Sequence, residues 1–189
     1  MPLPTREEAW RLLTEYTSSD SLRKHMLAVE GAMRAYASQS AQDENLWGLT
    51  GLLHDFDYER WPNPALDETG HPWIGVALLR ERGYPEEMCD AIMGHAPFTK
   101  HPRTTALAKT LFAVDELCGL VTAIGYVRPG KLNGLEPSSV KKKLKDKAFA
   151  RGVSRDDVRL GIEELGVETD AHIRLVITAM QSIAPQLGL

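Results

Sequence analysis

The sequence predicts an all-α fold, and three observations support this prediction. Apolar residues recur at spacings of three and four along most of the 189-residue chain, and no segment keeps the alternation typical of strands. Ser, Thr or Asp precedes most of these periodic segments, as expected for residues that cap helices. Hydrophobic residues make up 43% of the chain and charged residues 25%, a composition typical of one compact globular domain.

Capping residues predict the first three helices. Thr5 and Glu8 have the spacing of a capping box, which begins a helix that runs to about Glu15. The sequence Ser-Ser-Asp at 18–20 begins a second helix, and Asp43 begins a third. The second helix places its apolar residues on one face: Leu22, Met26, Val29, Met33 and Tyr36. The third carries four leucines toward His54: Leu46, Leu49, Leu52 and Leu53.

Glycine and proline separate the next three helices. We predict them for residues 72–83, 85–95 and 104–124. Gly83 followed by Pro85 indicates that one helix ends and the next begins. Pro97 and Pro102 interrupt the chain after the fifth helix.

The C-terminal third is predicted to hold three more helices. A lysine-rich helix covers 137–150, Ser154 with Asp157 caps an eighth, and the last covers 168–184. Two segments are irregular, 56–70 and 125–135, because they are rich in proline or glycine. Loops of that length in a compact domain are usually functional or mobile.

Charge and composition disfavour several classes of protein. Acidic residues outnumber basic ones by 26 to 22, so the net charge is -4 and dedicated nucleic-acid binding is not expected. Two cysteines, Cys89 and Cys118, are too few for a secreted disulfide framework. No segment approaches the roughly 20 apolar residues of a membrane span, and residues 1–10 do not resemble a signal peptide. We therefore expect a cytoplasmic protein with no membrane partner.

Six residues are candidate metal ligands because they recur near the ends or on the apolar faces of successive helices. They are His25, His54, Asp55, His71, His95 and Asp115. Asp115 shares a helix face with Leu111 and Cys118, where an unpaired carboxylate would be costly. Such an aspartate can also pair with an arginine or a backbone amide, and a single core histidine usually serves packing. Several of them in one small core, however, are typical of a site for Fe, Mn, Co, Ni or Zn.

The order His25, His54-Asp55, Asp115 resembles the H…HD…D signature of the HD-domain metal-dependent phosphohydrolase superfamily. The runs Leu-Leu-His-Asp, His-Pro-Trp-Ile-Gly and Ala-Ile-Met-Gly-His make the chain most similar to small bacterial hydrolases of the HDIG-related type. The resemblance covers about 21–123. It implies an all-α helical bundle with a metal site in the core, in a single domain over 1–189 whose C-terminal helices occupy about 136–185.

The resemblance also implies the ligands and the chemistry. In the family, the four signature positions hold one metal ion, and two further histidines hold a second. His71 and His95 stand at those two positions, although His71 could instead be an exposed residue at a helix start. Asp55 would bridge the two ions, and we assign the catalytic role to His54 and Asp55. Hydroxide activated by one or two divalent transition-metal ions would then attack phosphorus in line.

The residues after the His-Asp pair depart from the family pattern. Tyr58 stands where several subfamilies have a substrate-binding lysine, which disfavours a cyclic-dinucleotide phosphodiesterase or an inositol oxygenase. Asp57 and Glu59 are either carboxylates that orient ligand histidines or solvated loop acids. His101 and His172 are interpreted as structural residues outside the site.

Three cations are candidate substrate-binding residues: Lys109, Arg128 and Lys131. Residues 128–151 contain eight Lys and Arg but only two acidic residues, so this segment has a net charge of +6 and the remainder of the chain a net charge of -10. For the lysines from Lys141 to Lys147, the favoured interpretation is that they form the solvated face of a helix.

These observations predict hydrolysis of a phosphomonoester or phosphodiester in a small metabolite or nucleotide. Two alternatives remain, a mixed-valent di-iron oxygenase with the HD fold and a non-catalytic regulatory module that binds a nucleotide. The expected partner is a small phosphorylated substrate, and a homodimer remains open because helical proteins of this family often pair.

Overall fold

The protein consists of α-helices, and no strand occurs in residues 3–189, the part described by a computed structural model. Met1 and Pro2 lie outside the described residues. Both belong to the predicted domain and to the N-terminal segment that was not expected to be a signal peptide. The helices are α1 Arg6–Tyr16, α2 Asp20–Gln39, α3 Glu44–Leu53, α4 Trp73–Glu81, α5 Glu86–His95, α6 Ala106–Val127, α7 Pro137–Lys145, α8 Arg155–Leu165, α9 Thr169–Ser182 and α10 Ala184–Leu187. The predicted all-α fold is confirmed.

The predicted capping residues begin their helices. The Thr5 hydroxyl accepts the Glu8 N–H, and the Glu8 carboxylate accepts the Thr5 N–H, which completes the capping box of α1. Ser19 caps α2, Asp43 caps α3 and Ser154 caps α8, each through a side-chain oxygen that accepts a backbone N–H of the first turn. The cap chemistry read from the sequence therefore positions the starts of these four helices.

Two predicted helices end earlier than expected. Helix α7 ends at Lys145 instead of Ala150, because the Asp146 carboxylate accepts N–H groups two and three residues further on and forms a turn. Helix α9 ends at Ser182 instead of Ala184, and the short α10 follows. Pro185 has no N–H to donate and its ring is incompatible with a continuous helix, which explains the interruption.

Helix α6 forms the centre of the bundle and packs against α2, α5, α8 and α9. Its length and composition would be enough to cross a membrane, so the expectation that no segment comes close to such a span is wrong for this helix. However, 61% of its most apolar stretch is buried inside the protein. The helix therefore owes its apolar composition to its place in the core.

Close packing between α2 and α3 brings two of the candidate ligands together. A Cβ atom at Gly51 would lie 2.9 Å from both the Met33 Cγ atom and the Val29 carbonyl oxygen, so only glycine permits this approach. The imidazole rings of His25 on α2 and His54 at the end of α3 are consequently 5.2 Å apart between centroids.

Candidate metal centre

Five elements bring all six candidate ligands to one place in the core. His25 lies on α2, His54 and Asp55 at the end of α3, His71 just before α4, His95 at the end of α5, and Asp115 in the middle of α6. Ligand atoms from three overlapping sets of these residues each fall within 4.8 Å of one another. The cluster could therefore hold a metal ion, as the residue types suggest.

The Asp55 carboxylate lies between two pairs of histidines. Its Oδ1 atom is 3.3 Å from the Nε2 atoms of both His71 and His95. Its Oδ2 atom is 3.4 Å from His54 Nε2 and 4.0 Å from His25 Nε2. Each oxygen of Asp55 therefore faces a different pair of imidazoles.

Asp115 completes one side of the cluster. Its Oδ1 atom is 2.9 Å from His25 Nε2 and 3.4 Å from His54 Nε2. This side offers two imidazoles and two carboxylates, whereas the other side offers His71, His95 and the second oxygen of Asp55.

Hydrogen bonds on the outer face determine which nitrogen of three histidines points inward. The Nδ1 atom of His54 lies 2.8 Å from the Gly51 carbonyl oxygen, and that of His95 lies 2.5 Å from the Ile92 carbonyl oxygen. His71 Nδ1 lies 2.7 Å from an Asp57 carboxylate oxygen. Since all three partners are acceptors, each Nδ1 donates and each Nε2 is the nitrogen that faces the cluster.

One inward nitrogen lacks the partner that a protein interior normally supplies. His54 is fully buried, and its Nε2 atom has no hydrogen-bond partner within the described residues. The Nε2 atoms of His71 and His95 face each other at 3.3 Å beside the Asp55 carboxylate. A buried polar atom without a partner is costly, so the donor set fits a bound cation of the N,O-preferring transition metals.

The charges of the cluster stabilise one another. Burial alone would raise the pKa of Asp55 and of Asp115, but the neighbouring imidazoles outweigh burial and hold both pKa values well below their usual range. Burial would likewise lower the pKa of His54, yet the two carboxylates raise it. Both aspartates are therefore ionised at neutral pH.

The loop between α3 and α4 positions His71 by hydrogen bonds to its backbone. The His71 N–H donates to the Trp61 carbonyl oxygen at 2.8 Å, and the Asn63 amide donates to the His71 carbonyl oxygen at 2.8 Å. The predicted irregular segment is thus an ordered loop, and His71 is buried at 4% exposure rather than an exposed residue at a helix start.

Asp57 and Glu59, for which the sequence left two interpretations, have different roles. Asp57 is 1% exposed and accepts hydrogen bonds from His71 Nδ1 and from the Gly75 N–H, the latter at 2.7 Å. It therefore orients a candidate ligand. Glu59 is exposed and accepts the N–H groups of Ser18 and Ser19, so it holds the start of α2.

Two further residues border the cluster, and the sequence did not identify their roles. Tyr58 is 49% exposed, and its ring meets the His71 ring edge-on with centroids 5.3 Å apart. Burial, together with the charge of the adjacent Asp115, raises the pKa of Glu116 to about 7. In the sequence, the position of Glu116 directly after Asp115 could have indicated that it lies near the cluster. Nothing in the sequence indicated that the Tyr58 ring contacts His71.

The structure does not bring the three predicted substrate-binding cations to the cluster. Lys109 leaves α6 about 120° around the helix from Asp115 and lines a groove beside Arg103. Arg128 lies about 20 Å along the axis from Asp115 and donates to carbonyl oxygens of its own loop. Lys131 donates to the Gly188 carbonyl oxygen. Substrate binding by these residues stays a prediction that their positions do not support.

The other singled-out residues lie outside the cluster. His101 Nε2 is 3.2 Å from a carboxylate oxygen of Asp90. His172 bonds Tyr36 and a backbone carbonyl. Cys89 and Cys118 are free and buried, and burial raises the pKa of Cys118 well above its usual value, so packing rather than reactivity explains it.

Comparison with known proteins yields two matches. The HD domain family model matches residues 22–120. Ribonuclease Y from Thermus thermophilus is 32% identical over 123 residues, which is 64% of this chain and 19% of that protein. The chain thus spans about a fifth of the length of this curated relative. No solved structure matches.

Proposed function

Because the chain belongs to the HD domain family, we propose that it is a metal-dependent hydrolase of a phosphomonoester or phosphodiester in a small metabolite or nucleotide. The family itself implies metal-dependent phosphohydrolysis as the general class of activity. The observation that carries the proposal is the convergence of inward-facing Nε2 atoms on the two oxygens of Asp55.

The six candidate ligands divide into two sets that share Asp55. His25, His54 and Asp115 would hold one ion with Oδ2 of Asp55, and His71 and His95 would hold a second with Oδ1. A divalent ion supplies a strong local positive charge that makes water a nucleophile near neutral pH and stabilises charge on phosphoryl oxygens. No Ser or Cys nucleophile is then required.

The protein's own residues keep the site ready for this chemistry. Outer hydrogen bonds to Nδ1 hold three imidazoles in the orientation that presents Nε2 to a cation. The low pKa values of Asp55 and Asp115 keep both carboxylates charged at neutral pH. Tyr58, half exposed beside His71, offers the substrate an aromatic surface at the edge of the site.

The name of the matched relative suggests one substrate that a test of activity should include. Ribonuclease Y is by its name an RNA-cleaving enzyme. This chain corresponds to only a fifth of it, so RNA is one substrate among several in a test.

The experiment is a panel of phosphate substrates with protein that has been reconstituted with Mn, Fe, Co, Ni or Zn. The panel contains a phosphomonoester, a phosphodiester, nucleotides and a short RNA, and release of phosphate or of the alcohol is measured with and without dioxygen. We expect turnover that requires metal, proceeds without dioxygen and disappears in Asp115→Asn but not in His101→Gln, which changes a histidine outside the cluster.

Two results would contradict the proposal. Turnover that requires both iron and dioxygen would favour the di-iron oxygenase. Tight nucleotide binding without turnover for any metal would favour a regulatory module.

A further inference from the structure

A basic groove lies on the protein between α7 and the start of α8. It has a volume of about 780 Å³, within the range of sites for small ligands. Six cationic residues and one acid line it, together with the partly buried Leu144 and Val153. The charged lining residues are Lys141, Lys145, Lys147, Arg151, Arg155, Arg159 and Asp156.

Four of these cations have no acidic partner within the described residues. Lys141 pairs with Asp170, and Arg159 pairs with Asp156. In contrast, no ion pair within residues 3–189 involves Lys145, Lys147, Arg151 or Arg155. The groove therefore concentrates uncompensated positive charge, although the protein as a whole carries -4.

The segment that carries Lys147 and Arg151 is held in a fixed shape. The Arg155 guanidinium donates to the carbonyl oxygens of Ala150 and Val153, both at 2.6 Å, and also to that of Phe149. The Nε atom of Arg155 is buried and has no partner within the described residues. A loop fixed in this way loses little entropy when its cations bind an anion.

The groove lies beside the metal centre but is distinct from it. The Ser154 N–H, at its edge, donates to the Glu116 carboxylate at 3.0 Å, and Glu116 follows Asp115 directly in α6. None of the six candidate metal ligands lines the groove.

We propose that the basic groove binds a small molecule that carries two or more phosphates. A single phosphate would leave most of the cations without a partner, whereas a chain of phosphates can reach several of them. Leu144 and Val153 provide an apolar wall for the organic part of such a ligand. The acidic net charge and the limited volume disfavour a nucleic-acid strand. The inference concerns binding alone and does not depend on the proposed hydrolase activity.

The test is isothermal titration calorimetry with inorganic tripolyphosphate at constant ionic strength. We expect wild-type protein to bind it, and the double variant Lys147→Gln/Arg151→Gln to bind at least about tenfold more weakly, since two charge-assisted contacts are lost. The matched control Arg11→Gln/Lys142→Gln removes one Arg and one Lys that are exposed outside the groove. It should bind like wild type. All four side chains are exposed, so the circular dichroism spectra should not change.

Treatment with a chelator separates the groove from the metal centre. We expect tripolyphosphate binding to persist after the metal is removed. The proposal is overturned by any of four results: no binding to wild type, equal loss in both double variants, loss of binding after chelation, or a preference for an RNA oligonucleotide over tripolyphosphate in the groove.

Discussion

Two buried histidines, one at the end of α3 and one on α9, show how a candidate ligand histidine differs from a structural one. His172 is 1% exposed, and both of its nitrogens have partners: Nδ1 lies 2.5 Å from the Tyr36 hydroxyl and Nε2 lies 3.1 Å from the Ala113 carbonyl oxygen. His54 is equally buried, and its Nδ1 atom has a partner, but its Nε2 atom has no hydrogen-bond partner within the described residues.

The difference determines the charge that each histidine favours. Burial lowers the pKa of His172 to about 4, so it is neutral at pH 7 and its hydrogen bonds are complete. The carboxylates of Asp55 and Asp115 overcome burial at His54 and raise its pKa. The environment of His54 is therefore built for positive charge, and that of His172 for a neutral ring.

The largest expected effect comes from removing a charge on the His54 side. Asp115→Asn keeps the shape of the side chain but loses one anionic ligand, so hydrolysis should fall by roughly 10³-fold or more. His172→Gln, which changes a histidine that has both partners, should retain activity within a few-fold. A steady-state assay on the best substrate of the panel measures both. Equal losses of activity in the two variants would contradict the distinction between a ligand histidine and a structural one.

The second prediction concerns pH and the His172 side. The pKa of His172 is about 4 in the folded protein, against 6.5 for an ordinary histidine. Between these pH values the His172 side chain binds more protons in the unfolded chain than in the folded protein. Its contribution to the free energy of unfolding is therefore fully present above pH 6.5 and is lost as the pH falls toward 4. The loss at this residue is about 3 kcal/mol in the free energy of unfolding.

Urea unfolding of wild type and His172→Gln at several pH values checks this difference. The variant should lack the part of the pH dependence that His172 causes, whereas residues of the metal centre contribute equally to both proteins. Parallel curves for the two proteins would show that His172 does not titrate in this way.

A third, smaller effect is expected at Asp57, which orients His71. Asp57→Asn can accept only one of the two hydrogen bonds that the carboxylate now accepts, so metal affinity should fall by about 10- to 100-fold. Glu59→Gln is the matched control, since Glu59 contacts only the start of α2. Metal affinity from competition with a chromogenic chelator gives the comparison. An unchanged value in Asp57→Asn would mean that His71 needs no outer partner.

The smallest effects come from a pair of glycines on the two helices beside the cluster. A Cβ atom at Gly75 would lie 2.5 Å from the Asp57 Cγ atom, so Gly75→Ala must displace that carboxylate and should weaken metal binding severalfold. Gly119 on α6 has only the Val153 Cγ2 atom within reach, at 3.7 Å. Gly119→Ala should leave metal binding unchanged and raise stability by up to about 1 kcal/mol. Thermal unfolding and metal titration of both variants measure this contrast, which would fail if Gly75→Ala bound metal normally.

The sequence was sufficient to predict the fold class and the residues that meet in the cluster. Capping residues mark where helices begin, and His25, His95 and Asp115 each lie on a recognisable apolar face. The end of α7 could not be predicted, because it depends on how the Asp146 side chain bonds to its own turn.

Roles that depend on distant contacts were also beyond the sequence. Asp57 and Glu59 are equivalent as sequence neighbours, but only the fold decides that one meets His71 and the other meets the start of α2. Arg128 and Lys131 follow α6 directly, yet the length of that helix carries them to its far end.

The central claim, that the six-residue cluster holds metal, is tested most directly by elemental analysis of freshly purified protein. We expect one or two transition-metal ions per chain in wild type and in His172→Gln, and a loss of most of this metal in His54→Gln and Asp55→Asn, all measured on protein shown to be folded by circular dichroism. Wild-type protein that takes up no metal even after reconstitution, or His54→Gln and Asp55→Asn proteins with unchanged metal content, would contradict the account.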